Sequence, residues 1–164
     1  MTGYVIYLCG NAISFSSKYH PIQCLSSMES EYMGEVYTSK ELLFLFYMLD
    51  SLCTSSKNMK LILPLPMFAD NEAAIKFAED RSVNSRSKHI DLRHHYLTSY
   101  IDSDVISMNY VDTEDNIADI MTKPLAIIKF TRFCKYIIGT TSTALFNTLF
   151  SKHSKLNEIR HRKL

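Results

Sequence analysis

The apolar residues change their period along the chain, from two to 3.6 and back, and the order of those changes limits what it can fold into. Gly3 to Cys9 is rich in Tyr, Val and Ile, Gly10-Asn11 is a turn pair, and Ala12 to Lys18 alternates with Ile13 and Phe15 on one face. This predicts a hairpin. Tyr19 to Gln23 contains a proline and reads as a loop, and Ser26-Ser27-Met28-Glu29 has the S-x-x-E spacing of a capping box. The helix opened there runs to about Cys53. Its second half is apolar nearly all round, which predicts burial against a sheet.

Lys60 to Ala69 is a strand candidate in which Pro64 and Pro66 cannot donate ladder hydrogen bonds, so the well-paired part is Leu65 to Ala69, ended by Asp70. Asn71 to Glu79 reads as a short helix, Asp80 to Ser87 as a polar loop, and His89 to Tyr100 as a third helix. Val105 to Val111 alternates as a strand, Asn116 to Thr122 makes a short helix stopping before Pro124, and Leu125 to Ile138 makes an amphipathic helix ending at Gly139. Hairpin, helix, strand, helix, helix, strand and two further helices in that order predict an α/β layered domain over 1–139.

Composition narrows the function classes. With 164 residues, 46% hydrophobic and 21% charged, the chain reads as one globular domain. The net charge of +1 is a sum of two parts: 151–164 holds five of the 18 Lys/Arg and one of the 17 Asp/Glu, leaving 13 basic and 16 acidic residues before it. An acidic body of net −3 thus precedes a basic tail, 140–164, of unknown role. Cys9, Cys24, Cys53 and Cys134 form no C-x-x-C pair, and no secretory leader is evident, which predicts a reduced, intracellular setting and gives no support for structural zinc. No apolar run reaches the ~18 residues of a span, so no membrane is expected. Four glycines in the whole chain leave no P-loop and no dinucleotide-binding glycine pattern.

Three carboxylates stand where chemistry could use them. At 100° per residue Glu31 falls in line with Leu42, Leu45 and Leu49, whereas Glu29 falls near Lys40, so Glu31 is expected to point toward the sheet. The first turn of a helix also favours acids through its dipole. Asp70 follows a strand and precedes a helix, the place for ligand contacts in open α/β sheets, and is equally a good N-cap. Asp119 lies in a short helix four residues after Asp115, where a solvated surface acid is the plain alternative. Together, three carboxylates from distant parts of the chain are what a Mg²⁺ site for phosphoryl transfer requires. His89, His94 and His95 cluster, but their spacing puts His89 off a shared metal-binding face.

Four blocks carry a resemblance: Leu25-Ser26-Ser27-Met28-Glu29-Ser30-Glu31-Tyr32-Met33, Ala69-Asp70-Asn71-Glu72-Ala73-Ala74-Ile75, Ser85-Arg86-Ser87-Lys88-His89-Ile90-Asp91-Leu92-Arg93-His94-His95, and Thr113-Glu114-Asp115-Asn116-Ile117-Ala118-Asp119-Ile120-Met121-Thr122-Lys123-Pro124-Leu125. In order and spacing they resemble the ribonuclease H domain of copia-type LTR-retrotransposon Pol polyproteins. The resemblance implies a mixed sheet flanked by helices, and cleavage of the RNA strand of RNA–DNA hybrids by two Mg²⁺ ions. It assigns Glu31, Asp70 and Asp119 as catalytic metal ligands, and Asn71, Arg86, Lys88 and His89 as residues facing the hybrid through phosphate and 2′-OH contacts.

The departure is at the start. In the family a strand with the first catalytic Asp precedes the hairpin, whereas no Asp occurs here before Asp50. The resemblance therefore implies an N-terminally truncated domain lacking its central strand, with two inner sheet edges unpaired and little or no nuclease activity alone. Either the hairpin closes on the Asp70 strand, or the chain is unstable, or another polypeptide supplies the piece, such as an upstream reverse transcriptase segment of a parent polyprotein. The alternatives are a non-catalytic nucleic-acid or protein interaction module and a reading frame without a selected role. The expected setting is cytoplasmic, in a virus-like particle, or nuclear.

Overall fold

A computed structural model describes residues 1–19, 26–53, 62–80 and 88–139, with the side chains of 53 and 88–94 outside that description. The expected tail 140–164, the 81–87 part of the polar loop and Arg86 all lie outside the described residues. The fold is mixed α/β, as expected: strands β1 (Thr2–Leu8), β2 (Asn11–Lys18), β3 (Leu65–Ala69) and β4 (Ile106–Tyr110) are flanked by helices α1 (Ser27–Cys53), α2 (Glu72–Glu79), α3 (Lys88–Asp102) and α4 (Ile127–Ile137). A 3-10 helix, Ile117–Met121, replaces the short helix expected there.

Among the described residues the four strands form two separate pairs. β1 and β2 are antiparallel, with Thr2 opposite Lys18 and Leu8 opposite Asn11. Their turn is Cys9-Gly10, one residue earlier than the expected Gly10-Asn11. Both residues have positive φ, 51° and 81°, as a two-residue turn that matches strand twist demands. β3 and β4 are parallel, with Leu65 opposite Ile106 and Ala69 opposite Tyr110. Parallel strands need a covered crossover, and α2 and α3 provide it.

The core lies between α1, α2, α3 and the β3–β4 pair. Tyr32, Val36, Leu43, Met67, Ala74, Ile75, Ala78, Leu97, Ile106 and Met108 form one buried cluster. Tyr32 meets Phe77 edge-on at 4.9 Å between ring centroids. The buried Thr98 hydroxyl donates to the Ala78 carbonyl at 2.9 Å, tying α3 to α2. The expected burial of the second half of α1 is corrected. Only Leu43 is fully buried in that stretch, while Phe44 and Leu52 are 62% and 65% exposed and Tyr47 and Met48 are also exposed. Among the described elements α1 packs against β1, α2 and α3, and these leave the outer face of its C-terminal turns exposed.

The hairpin is anchored to neighbours other than β3. The Ser17 hydroxyl donates to the Met121 carbonyl at 2.6 Å, and a Cβ on Gly3 would stand 2.5 Å from Met121 Cβ. Gly34 brings α1 close to β1, though less tightly, since a Cβ there would meet Thr2 Cγ2 at 3.2 Å. These contacts hold β1 at a fixed distance from the β3–β4 pair.

Candidate functional site

Between the two strand pairs lies a cavity of about 810 Å³, walled by β1, the first half of α1, β3 and the segment around the 3-10 helix. Glu31, Asp70 and Asp119 all line it, so three carboxylates 39 and 49 residues apart in sequence share one space. Each arrives there for a local reason. Ser26 Oγ accepts from the Glu29 amide at 3.1 Å, which starts α1 and fixes the phase that turns Glu31, and not Glu29, onto the cavity wall. Asp70 follows the last residue of β3 and is half-buried. It is not the cap of α2: Asn71 Oδ1 accepts from the Ala73 and Ala74 amides at 2.9 and 3.1 Å, leaving the Asp70 carboxylate to face the cavity.

Asp119 is not a solvated surface acid. It is 4% exposed, on a 3-10 helix started by Asn116, whose Oδ1 accepts from the Ala118 amide at 3.2 Å. Lys123 Nζ lies 2.9 Å from one carboxylate oxygen and Lys129 Nζ 3.4 Å from the other. Burial of a charge demands such pairing. Lys129 also donates to the Thr113 carbonyl at 2.7 Å and sits over the Phe133 ring at 5.5 Å, so α4 clamps the acid in place.

The residue that sequence reasoning missed is Glu35. Glu31 itself is solvent-exposed on the wall, whereas Glu35, one turn later, is 6% exposed and lines the same cavity. Neither of its carboxyl oxygens has a hydrogen-bond partner among the described residues. Burial, and then the charges of Glu31, Asp70 and Glu79, push its pKa up to about 8. It is therefore largely protonated at neutral pH. The signal was available, because one helical turn places Glu35 about 40° from Glu31 on the same wheel. Burial and then the Glu35 charge also raise the neighbouring Tyr32 phenol.

Of the four residues expected to face a hybrid, Asn71 is committed to capping through Oδ1 and lines the cavity. Lys88 and His89 begin α3, with side chains outside the described residues, as is Arg86 altogether. His95 is exposed on α3, and the side chain of His94 falls outside the description.

The donor set is hard oxygen, as Mg²⁺ prefers. The arrangement does not fit a metal ion as it stands: among the described residues no group of three His, Cys, Asp or Glu side chains converges on one point, and both Asp119 oxygens are taken by lysines. What the site does assemble is an acid-lined slot with one carboxyl, Glu35, held neutral and another, Asp119, paired with two lysines. Among the described residues no helix is long and apolar enough to cross a membrane.

No protein-family model matches the chain, and no solved structure matches it. It is 31% identical over 141 residues to the retrovirus-related Pol polyprotein from transposon TNT 1-94 of Nicotiana tabacum, covering 86% of this chain and 10% of that protein. It is 33% identical over 135 residues to the retrovirus-related Pol polyprotein from transposon RE2 of Arabidopsis thaliana, and 32% over 135 residues to that from transposon RE1, in each case 82% of this chain and 9% of the relative. The chain spans about a tenth of the length of the curated relatives it matches, and its homologues are retrovirus-related Pol polyproteins of plant transposons.

Proposed function

We propose that the chain corresponds to the ribonuclease H region of a copia-type retrotransposon Pol polyprotein, and that it engages RNA–DNA hybrid at the acid-lined cavity without cleaving it efficiently on its own. The single observation that carries this reading is that Glu31, Asp70 and Asp119, from three distant segments, line one cavity. The deficiency in cleavage follows from the same geometry. With Asp119 on Lys123 and Lys129, and no trio of ligands gathered among the described residues, the Mg²⁺ ions implied by the resemblance have no assembled site, and errors of about 1 Å in such sites cost orders of magnitude in rate.

The test is hybrid binding and cleavage measured side by side. Fluorescence anisotropy with an RNA–DNA hybrid and a DNA duplex of the same sequence should show about tenfold preference for the hybrid, ~1.4 kcal/mol, with affinity falling as salt rises. Gel analysis in Mg²⁺ should show no cleavage above background. Equal affinity for both duplexes would remove the hybrid reading, and robust Mg²⁺-dependent cleavage abolished by Asp70→Asn would remove the deficiency.

A further inference from the structure

α4 buries one side and leaves another bare. Phe133 is fully buried, and Lys129 and Arg132 reach from one flank to the carbonyls of Thr113 and Glu114. At ~100° per residue the opposite flank carries Ile127, Phe130, Cys134 and Ile138 within a sector of about 80°. Ile127 and Ile138 are 75% and 73% exposed among the described residues, Phe130 is exposed, and Cys134 is half-buried. α4 packs on the 3-10 helix and on β2, so the flank away from the 3-10 helix is the one toward β2. Phe15 is exposed there, on the same sheet face as Ser17, whose hydroxyl reaches Met121. An apolar stripe at i, i+3, i+7 and i+11 is the face that a helix of a globular protein packs against a neighbour.

Position decides what covers this stripe. The Ile138 amide donates to the Cys134 carbonyl at 2.9 Å and ends α4, and Gly139 follows with φ 77°, the left-handed residue that turns a chain out of a helix. A Cβ on Gly139 would stand 3.2 Å from Asn11 Oδ1, so the chain leaves α4 beside the hairpin turn, at one end of the stripe. The next residues in sequence, Thr140-Thr141-Ser142-Thr143, are small and polar, and their number falls within the ~2–8 that join neighbouring helices. Beyond them Leu145, Phe146, Leu149, Phe150 and Leu156 recur at helical spacing. Leu145 and Leu156 stand eleven residues apart, as do Ile127 and Ile138. Eleven residues of helix measure ~16 Å, so the two apolar runs match in length.

We propose that the segment 144–156 folds back along α4, antiparallel to it, and covers the stripe with Leu145 at Ile138, Leu149 at Cys134 and Leu156 at Ile127. The apolar half of the tail then completes the burial of α4. The remainder carries Arg160, Arg162 and Lys163 to the end of α4 that lies beside Asp112, Glu114 and Asp115, a match of opposite charge. A second copy of this chain meets the stripe only at its bulk concentration, whereas a segment tethered by so short a connection has an effective concentration in the millimolar range. The fold-back goes beyond the reading of the cavity and does not depend on it.

A cysteine pair in the full chain tests the register. Leu149→Cys places a second thiol opposite Cys134, whereas Asn147→Cys, nearer along the chain, places it on the side away from α4. Under mild oxidation by diamide the 134–149 disulfide should form about tenfold faster than the 134–147 one, although an undocked tail would favour the nearer thiol. Peptide mapping assigns the bond and separates it from pairs with Cys9, Cys24 and Cys53. Ile127→Ser combined with Ile138→Ser, at two exposed positions that leave the buried side of α4 intact, should bring the 134–149 rate down to that of the control. As a second measurement without added cysteines, trypsin should cut after Lys152 and Lys155 about tenfold faster in the double serine variant than in the unsubstituted chain. Equal rates for the two cysteine positions, or crosslinking and cleavage unchanged in the double variant, would overturn the proposal. Disulfide-linked dimers that increase with protein concentration would also overturn it, by making a second copy the occupant.

Discussion

Replacing Glu35 by glutamine tests the electrostatics of the cavity directly. In the unfolded chain this carboxyl titrates near 4.5, and in the folded one it keeps its proton to about 8. Between those values the folded state binds a proton that the unfolded state has released, so stability is greatest below pH 4.5 and falls as pH rises toward 8. At ~1.4 kcal/mol per unit the total loss is about 5 kcal/mol, comparable with the whole stability of many small domains. Glutamine has the same shape and does not titrate. Glu35→Gln should match the unsubstituted chain near pH 4.5 and exceed it by several kcal/mol at pH 8. Urea denaturation followed by circular dichroism, in EDTA, reads this; with no tryptophan in the chain, tyrosine emission is the second probe. Every other titrating group is common to both proteins, so the difference between the two curves isolates this one. Parallel stability curves over that range would refute the argument that Glu35 is a buried, neutral acid.

Three further outcomes follow from the packing. Asn71→Ala should cost about 1 kcal/mol through loss of the α2 cap, whereas Asp70→Asn should leave thermal stability within about 0.5 kcal/mol; thermal melts distinguish the two. Leu43→Ala should cost ~2–5 kcal/mol, while Phe44→Ser on the next position should cost less than about 0.5 kcal/mol and raise solubility, as chemical denaturation and a precipitation assay would show. Gly3→Ala should destabilise by ~1–3 kcal/mol, because its methyl meets Met121 Cβ at 2.5 Å, and the lowered urea midpoint would record it.

Much of the fold was legible in the chain because it is local. The pair Pro64 and Pro66 trimmed a ten-residue apolar stretch to Leu65–Ala69, and the structure has that strand with those bounds. The S-x-x-E spacing at Ser26 and the turn pair Gly10-Asn11 place the start of α1 and the hairpin within a residue. The site was legible in part: the wheel separated Glu31 from Glu29 by phase alone. It did not rank Glu31 against Glu35, since both lie on the cavity side and only the depth of the wall decides which is buried. Asp119 looked like a surface acid because its lysine partners, four and ten residues on, bury it only once α4 folds back.

Caps, turns and periodicity act over a few residues, so the elements, their order and the acids able to meet can be read from the chain alone. The tertiary structure alone decided that the strands stand as two pairs with a held gap between them, that the second half of α1 is exposed, and that Glu35 is neutral. Those depend on distances between segments far apart in the chain, where packing and low-dielectric burial set the energies.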